Sequence, residues 1–81
     1  MSKIKKCSKT CYEIKDCEDI IYISKEQIPS TEQYLYFIDV YHKNEKSAYI
    51  NDHFDELWEA LEILHYNLGV PKSITKKIKG I

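Results

Sequence analysis

"YINDHFDELWEALEILHYNLGVP", residues 49–71, decides how the rest of this chain is read, because its apolar residues recur at helical spacing over the longest run. At 100° per residue Phe54, Leu57, Trp58, Leu61, Leu64, His65 and Leu68 fall within about 120° of arc, which predicts an amphipathic helix with those side chains on the core. Asn51 or Asp52 is placed to cap its start, and acids gather in the first turns, where they complement the helix dipole. Gly69 followed by Val70 and Pro71 ends it, the glycine taking the left-handed cap and the valine folding back on the last turn. His65, inside the stripe, reads as a partly buried histidine bonded to a backbone carbonyl.

The opposite side of this helix carries the functional signal. Asp52, Asp55, Glu56, Glu59 and Glu62 lie there with Ile63 and Tyr66 among them, and no Lys or Arg occurs between Asp52 and Val70. In a helix running from Asp52, Asp52–Glu56 and Asp55–Glu59 are like-charge pairs at i,i+4, each costing about 0.2–0.5 kcal/mol. A solvated face is the plain explanation. A face that accepts this repulsion and exposes an apolar and an aromatic side chain points instead to a surface that meets a basic protein partner. The run "FDELWEAL", 54–61, also resembles the inhibitory helix of barstar-like proteins, in which acid, Leu, Trp and acid present carboxylates to the cationic active site of a ribonuclease. The likeness covers about a tenth of the chain. It implies blocking chemistry without the barstar-like fold, whose parallel strands alternate with helices, whereas here a hairpin precedes the helix and no strand clearly follows it.

Upstream, "QYLYFIDVYH", 33–42, alternates with a period of two. Leu35, Phe37, Asp39 and Tyr41 fall on one side and Tyr34, Tyr36, Ile38, Val40 and His42 on the other, so both faces of this strand carry apolar or aromatic groups. "TCYEIK", 10–15, and "DIIYIS", 19–24, read as a hairpin, and "KEQIPSTEQ" as a loop around Pro29. "KNEK" reads as a turn that returns through the strand "SAYIN", 47–51. Residues 1–9 are expected to be a flexible lead-in to a single domain spanning 10–81. After the helix, "SITKKIKGI" has Ile74 and Ile78 at i,i+4, able to pin it to the core. The expected fold is α+β, an antiparallel meander of three to four strands packed by one amphipathic helix.

Composition narrows the function. The 81 residues suit one small domain with little room for an active-site cavity, and the 43% hydrophobic content suffices for a core. All 12 basic residues are Lys, so the bidentate fork that reads guanine and phosphate is missing, and the net charge of −1 gives no global pull on polyanions. Glycine occurs only at 69 and 80, which leaves no phosphate-cradling loop or nucleophile elbow, so neither an enzyme nor a cofactor is expected. Cys7, Cys11 and Cys17 are odd in number and lack paired C-x2-C spacing; reduced thiols are expected, not a metal site completed by His42 or His53. With no signal-peptide core and no membrane-length apolar run, the expected location is the cytoplasm.

These readings converge on a small binding module, an inhibitor or antagonist of the phage or mobile-element antidefence or immunity type, that blocks a basic or nucleic-acid-binding surface of a larger protein. A second reading is a nucleic-acid-binding regulator that uses a tyrosine-rich sheet face and the Lys-rich ends, Lys3, Lys5, Lys6 and Lys9 with Lys72, Lys76, Lys77 and Lys79.

Overall fold

A computed structural model describes residues 3–16 and 18–81. Five strands, β1 (Lys3–Ser8), β2 (Cys11–Lys15), β3 (Asp19–Gln27), β4 (Tyr34–His42) and β5 (Ile50–Phe54), form one antiparallel sheet in the order β1-β2-β3-β4-β5. Two helices follow, α1 (Leu57–Tyr66) and the single turn α2 (Lys72–Thr75). The architecture is α+β and the meander is as expected, with one strand more than the expected upper count and a second short helix.

The extra strand is β1, in the stretch expected to be a flexible lead-in. Ile4 is its one aliphatic residue, beside three Lys, a Cys and a Ser, too little for a period to be visible, yet it lies opposite Ile14 in the register. That pairing completes a row of β-branched side chains crossing all five strands: Ile4, Ile14, Ile21, Val40 and Ile50. Ile14, Ile21 and Val40 in this row are buried, as are Tyr12, Ile23 and Ile38 in the next row on the same face. Because side chains alternate along a strand, slipping any strand by one residue would turn its part of these rows to the opposite face. The rows therefore lock the register.

Helix α1 lies over β4 and β5, and Ile74, Ile78 and Ile81 of the C-terminal segment pack into the same core as Tyr12 and Ile14. Ile74 and Ile78 are buried, as their spacing predicts, and the Tyr12 hydroxyl donates to the Lys79 carbonyl at 2.9 Å, tying the end of the chain to β2. Gly69 takes φ +72° at the end of α1, and the Val70 amide returns to the Leu64 carbonyl at 2.9 Å. Nδ1 of the half-buried His65 donates to the Val70 carbonyl at 2.8 Å. The stop signal and the histidine were both read correctly.

The start of the helix was not. Asn51 and Asp52 do not cap it; residues 50–54 are β5, hydrogen-bonded to β4 with Asp52 opposite Ile38 and Phe54 opposite Tyr36. The returning strand accordingly runs later than 47–51. Glu56 is the N-cap, and its amide donates to the Glu59 carboxylate at 3.1 Å in a capping-box arrangement.

Losing its first turn to the sheet also changes which side of the helix faces inward. Ala60 and Leu64 are the buried positions, flanked by the half-buried Leu57, Leu61, Ile63 and Leu68, so the core arc is rotated by roughly 60° from the expected one. Trp58, placed on the core by the sequence reading, is 60% exposed. The consequence is measurable in denaturant. Leu64→Ala should cost about 2–5 kcal/mol of stability and Trp58→Ala well under about 1 kcal/mol.

Candidate functional site

The seven residues expected to form one acidic partner-binding face do not share a face. Asp52 projects from β5 and Asp55 from the bend before α1, both exposed, so neither belongs to the helix and the expected i,i+4 repulsion with Glu56 and Glu59 does not arise. Glu56 and Glu59 are engaged at the helix start, where carboxylates are favoured by unpaired amides. Ile63 is half-buried against the core, and its truncation belongs to stability. Only Glu62 and Tyr66 stand on the outer surface as read.

What joins them is the residue the sequence reading placed inside. Trp58, Glu62 and Tyr66 follow one another at i,i+4 and i,i+8, a single stripe along α1, with Trp58 60% and Tyr66 70% exposed. Two large aromatic rings flank one carboxylate. The Tyr66 ring meets the His65 imidazole edge-on at 4.7 Å, which holds the base of the stripe in place.

Beside the stripe runs a groove between α1 and α2, lined by Leu61, Glu62, His65, Tyr66, Lys72, Thr75 and Lys76. The absence of Lys from 52–70 is thus a feature of sequence only, since the fold brings Lys72 and Lys76 to the groove that Glu62 also lines. The lining is chemically mixed, with the aliphatic Leu61, the acidic Glu62 and the basic Lys72 and Lys76 around one depression. Nothing in the local sequence announces it, because its walls come from two segments.

The face of the sheet away from the helices is also uncovered. It displays Ile20, Tyr22, Leu35, Phe37 and Tyr41, all half-buried, around a polar row that crosses the sheet: Lys5, Glu13, Tyr22, Asp39 and Asn51. The Tyr22 hydroxyl donates to Glu13 at 2.9 Å, Lys5 and Lys15 each lie 3.9 Å from the same carboxylate, and the Asn51 amide donates to Asp39. Tyr22 and Tyr41 pack edge to face at 5.8 Å. The tyrosine-rich face expected from sequence is divided, since Tyr12 and Tyr36 pack against the core on the opposite side and Tyr66 is on α1.

Two further clusters are accounted for by structure. Asp19 accepts from His42 Nδ1 and from the Tyr49 hydroxyl, both at 2.9 Å, while the two rings stack at 3.8 Å, clamping the loop after β4 to the start of β3. Burial and that bond to Asp19 push the Tyr49 hydroxyl pKa up. Cys7 and Cys11 are free, and burial, then the neighbouring Cys7 and Glu13, raises the pKa of Cys11, which keeps it a thiol. Cys17 lies outside the described residues. Among those described, no three His, Cys, Asp or Glu side chains converge in a way that would hold a metal ion. None of the helices described is long and apolar enough to cross a membrane.

The hydrogen bond to Glu13, then burial, pushes the Tyr22 pKa up to about 12. The folded-state value lies above the ordinary value of about 10, so the stabilisation is whole below that pH and is lost as pH rises from about 10 toward 12. Absorbance titration should show the Tyr22 phenol ionising late, near pH 12, and Glu13→Gln should bring its ionisation back toward the ordinary value of about 10. The chain matches no protein-family model, no curated protein and no solved structure.

Proposed function

We propose that this protein is a non-enzymatic, cytoplasmic binding module that antagonises a larger protein by docking the outer stripe of α1 on a basic surface of it, in the manner of the small antidefence or immunity-type proteins of phages and mobile elements. The observation that carries this reading is the exposure of Trp58 and Tyr66, at 60% and 70%, on either side of Glu62. Trp and Tyr are enriched at the centres of protein interfaces, where a rigid ring buries much area for little lost entropy, and a carboxylate between them selects for a Lys or Arg opposite. The exposed Asp52, Asp55 and Glu56 extend negative charge beyond the stripe at its N-terminal end, where it steers a basic partner in without being buried by it. The groove beside Leu61 and His65 gives room for an apolar side chain of the partner.

The test uses the full chain as bait in an extract of the cells that carry its gene, beside Trp58→Ala and Glu62→Lys baits whose melting curves match the parent. A protein retained by the parent should bind more weakly to Trp58→Ala by about 2–4 kcal/mol, and should associate more slowly and with altered salt dependence with Glu62→Lys. Equal retention by all three folded baits would show that the stripe is solvated surface.

A further inference from the structure

Although the net charge is −1, the fold separates the charges. Residues 3–16 carry five Lys against Glu13 and Asp16, and residues 71–81 carry four Lys and no acid; residues 50–70 carry five acids and no Lys. The sheet order puts β1 and β5 on opposite edges, four strand spacings or roughly 19 Å apart. The two ends of the chain also meet, through the Tyr12 bond to the Lys79 carbonyl and the approach of Lys6 Nζ to Gly80.

On the open side of the β1 edge, Lys3 faces Lys15 directly across the ladder, a like-charge pair that disfavours the sheet, and Lys5 stands next to both. Glu13 lies 3.9 Å from both Lys5 and Lys15 and is also engaged by Tyr22; with five Lys against the two acids Glu13 and Asp16 in residues 3–16, positive charge is left over. On the far side Lys6 lies over the Tyr12 ring at 5.5 Å, so ammonium groups fringe both faces of the edge. Lys3 and Lys5, two residues apart on one strand, repeat at about 6.6 Å. That spacing suits successive phosphates of an extended chain. Inward from this row, Ile20 lies opposite Lys15, and a depression lined by Ile20, Tyr22, Tyr41 and Glu45 exposes aromatic surface.

We propose that the β1 edge binds single-stranded nucleic acid, with Lys3, Lys5 and Lys15 on consecutive phosphates and the Tyr22–Tyr41 pair receiving a base. Acidic peptides and anionic membranes share the attraction to Lys but have no use for stacking rings beside it. A duplex keeps its bases stacked and offers only their edges in the grooves, so it has no free base face for the Tyr22–Tyr41 pair. Binding is tolerant of sequence for the same reason, since every base has a face to stack. This site is distinct from the α1 stripe and does not rest on it.

The experiment is fluorescence anisotropy of labelled 12-nucleotide oligothymidylate and oligouridylate with the full chain at low ionic strength. Binding is expected to fall with salt at a logarithmic slope of about −2, three phosphates at about −0.7 each. Lys5→Glu with Lys15→Glu should weaken it at least tenfold, as should the milder Lys3→Gln with Lys5→Gln if the first pair disturbs folding, whereas Lys46→Glu in the loop after β4 should not. Tyr41→Ala should weaken binding severalfold without changing the salt slope. The proposal is overturned by no binding at low salt, by undiminished binding of folded Lys variants, or by equal or tighter binding of a duplex, polyglutamate or phosphatidylserine vesicles.

Discussion

Everything in this molecule hangs on the row of β-branched side chains that runs across the sheet through Ile4, Ile14, Ile21, Val40 and Ile50. A five-stranded sheet has two faces, and a chain of 81 residues has helix enough to cover one. The row determines which. Once its isoleucines and valine are turned toward α1 and the C-terminal segment, alternation leaves Lys5, Glu13, Tyr22, Asp39 and Asn51 on the other side, where their mutual hydrogen bonds and ion pairs replace a covering layer. The buried face supplies the stabilising area. The open face supplies a polar ladder whose members need no second layer.

How much of this could be read beforehand depended on how many residues carried each signal. The 33–42 strand alternates over nine residues of its observed length, and both of its faces were assigned correctly. The helix end was legible because Gly69 and Pro71 act on backbone geometry, which no tertiary contact has to supply. β1 was not legible: a single isoleucine among lysines has no period, and only the partner strand shows what it is for. β5 misled because Asn51 and Asp52 are good capping residues and poor strand formers, and Phe54 happens to fall in phase with the helix beyond it. Pairing with β4 overrode both preferences, and the phase of α1 followed from that error.

The candidate site suffered from the same rotation. With the helix taken to start at Asp52, Trp58 was inside and five acids shared one outer face. With the start at Leu57 after the Glu56 cap, Trp58 comes out, Ile63 goes in, and most of the acids become cap and approach residues with local reasons to be acidic. Two of the seven expected contacts, Glu62 and Tyr66, survive on the stripe. Lys72 and Lys76 could be found only by folding, because they line the same groove as Glu62 from a separate segment.

The position of Trp58 bears most directly on the proposed antagonist. Ala60 and Leu64 at 0% exposure bring α1 close to the sheet, and the small alanine is what permits that approach. Turning the helix to bury Trp58 would lift Ala60 and Ile63 off the sheet and break the geometry that lets His65 reach the Val70 carbonyl. Trp58 is therefore held in solvent by the packing of its neighbours. Helix propensity does not ask for an indole there, since a Lys or Glu would serve an exposed helical position at least as well. Among the described residues no layer covers most of the ring. A binding partner would, and it would find the ring already oriented by a helix whose other side is fixed, so that little conformational freedom remains to be lost on association.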